Sequence, residues 1–388
     1  MNDCRRFARA GFLTTLFAGL ITALLPLGTS AQVAAPSAPA LGAKGYLLVD
    51  FKSGHELASK NADERLDPAS ITKLMTAYAV FRAIKSGQIS LDDEVRVSEK
   101  AWRTQGSRMF INVGSRVPVE LLLPGMIIQS GNDASVALAE HVAGTEESFA
   151  EIMNQLAAEL GMTNTNYRNS TGLPAEGHYT SASDIVKLAT ALIREFPDYY
   201  RWYSQKEFTY NEITQGNRNA LLWRDESVDG MKTGYTENAG YCLVSSAERD
   251  GMRLISVVLG TKSSAARANE SQALLNYGFR FFETHLLWEQ GQVIGNEQVW
   301  KGAQDNTDLI VADAVYATLP RGALDQVTWE IRTPGKLIAP LSVDDAVGVV
   351  QAKIDSDIVA EANLYSAQAI DSGSLLQTTW DEVLLWFE

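Results

Sequence analysis

The hydrophobic pattern of this chain changes character near Thr284, and that change limits what it can fold into. Upstream, apolar residues recur at helical spacing in several long runs, around one buried strand and one hairpin. Leu74, Met75, Tyr78 and Phe81 give the period of a helix over 69–84. Residues 124–143 are mostly helical, broken at Ser130-Gly131-Asn132, and further helices are expected at 183–196 and 265–282. Tyr46 to Phe51 reads as a buried strand, and 240–247 and 252–260 form a hairpin about Asp250-Gly251. Downstream, short β-rich runs such as Val327-Thr328-Trp329-Glu330-Ile331 are separated by turn residues such as Pro334-Gly335. The expectation is an α+β unit, helices around an antiparallel sheet, over 40–284, then a small all-β unit over 285–370. A chain of 388 residues has room for both.

The two ends read differently. Arg5, Arg6 and Arg9 precede an apolar run from Gly11 to Leu27, and Thr29-Ser30-Ala31 follows as a small-residue cleavage site. Residues 1–31 are therefore read as a secretory signal peptide. Its removal takes Asp3 and three arginines from 47 acids and 33 bases, leaving 46 and 30, a net charge of −16. So acidic a chain is a poor nucleic-acid binder, because phosphate neutralisation needs clustered Lys and Arg. Two cysteines, Cys4 and Cys242, exclude a disulfide framework and a zinc ribbon. His55, His141, His178 and His285 show no metal-ligand spacing, so neither a metal nor another cofactor is expected. At 34–39 an Ala/Pro/Ser stretch reads as a flexible lead-in. At the other end, Leu376, Trp380, Val383 and Phe387 repeat at helical spacing over 372–388. That helix is too short to span a bilayer and is expected to lie in the membrane interface. No Lys or Arg follows Lys353, so the attraction would be hydrophobic rather than ionic. The competing reading is a helix docked on the β unit.

Three short motifs carry chemistry. Ser70-Ile71-Thr72-Lys73 places a hydroxyl and an amine on one helix face, with Asp67 expected as N-cap and Pro68 as first helical residue. A lysine whose pKa is lowered can take the serine's proton, and the helix N-terminus offers N–H groups to an oxyanion. Alone this pair would occur about once by chance in a chain this long. Ser130-Gly131-Asn132 could relay a proton and hold an amide, or equally form a capping loop. Lys232-Thr233-Gly234 offers an anion site on a strand, with glycine admitting a substrate backbone.

Together, in this order, the three resemble the motif set of the low-molecular-mass penicillin-binding proteins, the exported D-alanyl-D-alanine carboxypeptidases. The resemblance extends through Val228-Asp229-Gly230-Met231 and Gly278-Phe279-Arg280-Phe281-Phe282. It implies that Ser70 attacks the penultimate D-alanine carbonyl of a peptidoglycan stem peptide, with Lys73 as base. Ser130 would relay a proton and Asn132 would orient the peptide. The backbone N–H groups of Ser70 and Tyr235 would form the oxyanion hole. Lys232, Thr233 and Arg267 would face the substrate carboxylate, with Arg218 a weaker candidate nearby. Inhibition by β-lactams and a place on the periplasmic face of the inner membrane are implied as well.

Tyr235 stands where the family often has histidine, and the loop at Thr171-Gly172-Leu173 governs deacylation in relatives. A D,D-endopeptidase, a β-lactamase of the same fold and a non-catalytic wall-binding protein are the alternatives. A β-lactamase would need a water-activating glutamate, and only Glu176 is near that loop, in a setting that does not match. Asp184 is read as a helix cap rather than a loop brace, His141 as structural, and Tyr199, Tyr200, Trp202 and Tyr203 as surface packing.

Overall fold

A computed structural model describes residues 35–387. The segment read as a signal peptide lies outside the described residues.

The buried strand at the start of the fold is Gly45–Asp50, an inner strand of a five-stranded antiparallel sheet. The strand order is Glu56–Lys60, Gly45–Asp50, Met252–Thr261, Gly240–Arg249 and Val228–Thr236. Side chains alternate across a strand, so Leu47 and Val49 enter one core while Tyr46 and Leu48 enter another on the opposite face. Both faces are covered, which is why these strands read as continuous apolar runs. The helix Ser264–Phe281, capped by Ser263, packs on one face. The helices Lys73–Lys85, Val119–Ile127, Asn132–Ala143, Glu146–Glu159 and Ala182–Glu195 pack around the other.

Several local expectations are corrected. Residues 69–72 form a 3-10 turn rather than the first turn of the helix, which starts at Lys73. Pro68 takes the cap position and no side chain, Asp67 included, caps the turn. The cause is the backbone of Ala69, whose φ of 47° is incompatible with a regular helix start. Ser181, not Asp184, caps the Ala182–Glu195 helix. The buried Asp184 carboxylate instead accepts from Asn164 N at 2.7 Å and Thr165 Oγ1 at 2.8 Å, bracing the loop. Of the aromatic cluster, Tyr200 and Tyr203 are buried, while Tyr199 and Trp202 pack over Phe81. The lead-in is tied down, since Tyr277 Oη donates to Pro36 O at 2.9 Å. His141 is indeed structural, its Nε2 3.2 Å from Asp93 Oδ2.

At Phe282 the last helix of the first unit passes without a linker into the strand Phe282–Trp288, paired with Val315–Pro320. A six-stranded sheet and its own apolar core follow. A hydroxyl-rich joint ties the β unit to the first sheet. Thr284 Oγ1 donates to Asp50 Oδ2 at 2.7 Å, and Ser53 Oγ lies 2.6 Å from Thr318 Oγ1. The terminal helix, Leu375–Leu385, docks through its polar side: Lys301 N donates to Asp381 Oδ2, and Lys301 pairs with Glu382. Its apolar face points outward, with Leu375, Leu376 and Trp386 nearly 90% exposed. Among the described residues no helix is long and apolar enough to cross a membrane.

Candidate active site

The three motifs come from three separate elements and meet in one cleft of about 450 Å³. Ser70 sits on the 3-10 turn, Ser130 in the break between two helices and Lys232 on the edge strand of the sheet. The backbone is strained at both serine positions: Ser130 itself has φ 62°, and Ala69 precedes Ser70 at φ 47°. Such conformations cost about 1–3 kcal/mol each and persist only where surrounding packing imposes them.

Lys73 is 1% exposed, and its Nζ contacts three oxygens. Ser70 Oγ is at 3.1 Å, Asn132 Oδ1 at 2.6 Å and Thr171 O at 2.6 Å. Burial, then repulsion from Arg218, pushes its ammonium down to about 7, against the opposing pull of Asp133 and Glu146. A neutral amine has two hydrogens and one lone pair. Asn132 Oδ1 and Thr171 O, the two shorter contacts, accept the hydrogens. The lone pair is left for the Ser70 hydroxyl, which then donates to it.

Lys232 Nζ donates to Ser130 Oγ at 2.9 Å and to Thr233 O at 3.0 Å. Burial, with Lys73, Arg218 and Arg267 nearby, holds Lys232 well below the usual lysine range. Arg267 donates to Gly234 O at 3.1 Å and lies 5.6 Å from the Tyr241 ring centre. Arg218 donates to Ser107 Oγ at 2.6 Å. Both arginines line the cleft with Thr233, Gly234 and Tyr235. The cleft therefore has a serine hydroxyl beside a buried amine and fixed positive charge in its lining, an arrangement suited to an anionic peptide end.

Two sequence expectations change in detail. Gly234 is empty of side chain for the protein's own sake: a Cβ there would lie 3.1 Å from Ala69 Cβ and from Pro68 O. The glycine lets the edge strand sit against the turn that carries Ser70. Asn132 lines the cleft and is also held within the protein, its Nδ2 donating to Gln105 O at 2.6 Å while Oδ1 accepts from Lys73. Tyr235 is half exposed and its ring packs 4.3 Å from that of Tyr241. Glu176 is exposed and does not line the cleft. Cys242 is buried within the sheet strand Gly240–Arg249, its thiol pushed up to about 11 by burial.

The supporting residues went unnoticed in the sequence. Asp133 accepts from the backbone N–H groups of Met109 and Phe110 at 2.8 and 2.9 Å, fixing that segment beside the cleft. Asn169 Oδ1 accepts from Thr171 N and Gly172 N at 3.1 and 2.7 Å, shaping the loop whose carbonyl holds Lys73. Glu146 accepts from Ser170 N and Oγ, and Thr76 Oγ1 donates to Ser170 O at 2.7 Å. His178, 2.9 Å from Thr72 Oγ1, is held mainly by burial down to about 4 and is neutral. Only Asn169 left a trace, as an Asx turn ahead of Thr171-Gly172.

A serine facing a buried lysine, beside a cationic cleft, defines a serine acyl-transfer enzyme of the serine–lysine type. The profile of a family described as D-alanyl-D-alanine carboxypeptidase matches residues 32–263, and that of the penicillin-binding protein 5 C-terminal domain matches 282–372. The chain is 43% identical over 359 residues to D-alanyl-D-alanine carboxypeptidase DacC of Escherichia coli, covering 90% of each chain. It is 39% identical over 393 residues to DacA of the same organism, covering 99% of this chain and 98% of that one. Penicillin binding protein 5 from Haemophilus influenzae superimposes with a TM-score of 0.85 at 39% identity, over 87% of this chain and all of that one. The chain belongs to the D-alanyl-D-alanine carboxypeptidase family, as a serine-type hydrolase with the penicillin-binding-protein fold.

Proposed function

We propose that Ser70 is the nucleophile that removes the terminal D-alanine from peptidoglycan stem pentapeptides, and that Lys73 is its base. Ser70 Oγ attacks the penultimate carbonyl carbon while its proton passes to Lys73 Nζ. The oxyanion is held by the backbone N–H groups of Ser70 and Tyr235. Collapse breaks the peptide C–N bond, and the proton held on Lys73 passes through Ser130, which Lys232 holds in place, to the leaving amine, returning Lys73 to its neutral form. Water then attacks the ester carbonyl, Lys73 accepting its proton and delivering it to Ser70 Oγ as the acyl C–O bond breaks. Lys232, Thr233 and Arg267 bind the terminal carboxylate, and Arg218 adds charge on the opposite wall. Asn132 serves by fixing Lys73. The observation that carries this reading is the buried Lys73 amine, whose two hydrogens are taken by Asn132 and Thr171.

β-Lactams would acylate the same serine, since their strained amide presents a carbonyl and a carboxylate in the same relation. The exported chain would work in the periplasm, with the terminal helix holding it to the inner membrane surface. Support for that anchor comes from the outward apolar face formed by Leu375, Leu376, Trp380, Trp386 and Phe387. The proposed division is a signal peptide over 1–31, the catalytic unit over 40–284, the β unit over 285–370 and the anchor over 372–388.

The test is Ser70→Ala, assayed with fluorescent penicillin and for free D-alanine released from a pentapeptide. Both signals are expected to vanish with the fold intact, because alanine is well tolerated in a helical turn. Persistent covalent label would remove Ser70 from the mechanism.

A further inference from the structure

A second cleft lies apart from the catalytic one. It lies where the Ser264–Phe281 helix passes into the β unit, encloses about 670 Å³, and is lined by Arg249, Arg280, Arg321, Asn276 and His285 among others. Three guanidiniums converge there in a chain that carries a net charge of −14. Two are held in place by carboxylates of the protein, which offset part of their charge. Arg249 lies 4.4 Å from the Phe279 ring centre and is anchored from behind by Asp225 at 2.6 Å. Arg321 donates through NH2 to Phe279 O at 2.9 Å, with Glu283 at 3.6 Å. Arg280, exposed and in the last helical turn, has no acidic partner among the described residues. Neutral Asn276 adds an amide to the same wall.

We infer that this cleft is a second, non-catalytic subsite that binds a carboxylate of the peptidoglycan polymer. Guanidiniums held in advance suit a planar carboxylate, because little side-chain freedom is lost on binding. The lining also contains Asp250 and Glu283, which would repel a multiply charged phosphate more than a single carboxylate. Arg280 stands thirteen residues along the same helix from Arg267, about 20 Å at the usual helical rise. An extended polymer occupying the catalytic cleft can reach that far, and a short peptide cannot. The subsite rests on the reading of peptidoglycan as substrate. It would raise the residence of the polymer without touching the reacting atoms.

The experiment compares Arg280→Glu and Arg321→Gln with the unaltered protein, at low ionic strength so that exposed charge is not screened. The substrates are a short acyl-D-Ala-D-Ala peptide and intact, uncrosslinked peptidoglycan. Arg280→Glu is expected to lower kcat/KM on the polymer by about three- to tenfold through KM, leaving the short peptide within about twofold. Arg321→Gln should show the same split. Chemical-shift perturbation at Arg280 and His285 by a disaccharide tetrapeptide, at concentrations where inorganic phosphate gives none, is the direct binding readout. Unchanged polymer turnover, equal losses on both substrates, or equal perturbation by phosphate each overturn the subsite. If Arg280 serves only to offset the helix C-terminus, its charge reversal lowers Tm and leaves the substrate ratio alone, which also overturns it. Failure of the unaltered protein on both substrates would instead strike at the proposed activity.

Discussion

With Lys73 as the proposed base, its burial predicts the pH behaviour of acylation. A protonated lysine has no lone pair, so the acylation step requires the neutral form. Because burial holds this group at about 7, kcat/KM for acylation by penicillin should rise with pH and reach half its plateau near there. Below that point it should fall about tenfold per pH unit. A stopped-flow profile from about pH 5.5 to 8.5 checks this, and a flat profile would remove Lys73 as the base. Arg267 carries the second residue-scale expectation. Arg267→Ala should lower kcat/KM on an acyl-D-Ala-D-Ala peptide by about 10- to 100-fold, the loss of one charge-assisted pair. The C-terminal amide of that peptide should lose far less, and equal losses would place Arg267 in folding rather than binding. Lys73 was legible in the sequence through its three-residue spacing from Ser70, and Arg267 only through the family resemblance. The groups that tune them were not: Arg218's repulsion of Lys73 and Asn132's hold on it depend on distances across elements.

At the scale of elements, the site depends on how closely a loop, a turn and a strand approach. Gly172 has φ 82°, and a Cβ there would overlap the Ala69 carbonyl beside Ser70. Gly172→Ala is therefore expected to cost about 2–4 kcal/mol or to displace the loop, combining an unfavourable backbone with a clash. A lowered Tm together with slowed penicillin labelling checks it, and an unchanged protein would show that the loop can yield. Sequence periodicity located the Ser264–Phe281 helix and the Gly240–Arg249 and Met252–Thr261 strands within a few residues. It failed at the start of the Ser70 turn and at Asp184. An Asp or Pro near a helix start favours a cap in isolation. Here Ala69 lies outside helical geometry, its Cβ close against Gly234 of the edge strand, and Asp184 accepts from donors in the loop.

In the whole molecule, the catalytic unit and the β unit are joined by a helix running directly into a strand and by the Asp50–Ser53–Thr284–Thr318 hydroxyl joint. The terminal helix sits on the β unit by its polar side, so removing it exposes no core. A chain ending near Ser372 is accordingly expected to be soluble and to keep its carboxypeptidase rate, while the full chain pellets with membranes. Fractionation and a D-alanine assay on both decide the matter. Identical partition of the two would make the helix a packing element. The amphipathic spacing showed that one face was apolar. Which face met the protein was not legible, because the same stripe can bury against lipid or against a neighbouring sheet.

The edge strand Val228–Thr236 has a consequence for the behaviour of the protein in solution. A strand that must stay unpaired to receive a peptide is also a template for a second copy, and long open edges are the usual starting points of self-association. The open stretch, Thr233 to Thr236, lines a cleft shared with Arg218 and Arg267. Two copies meeting edge to edge would have to bring these guanidiniums together and strip them of water. The charges proposed to select a carboxylate would thus also act as gatekeepers against zippering, so one set of residues would serve both recognition and colloidal stability.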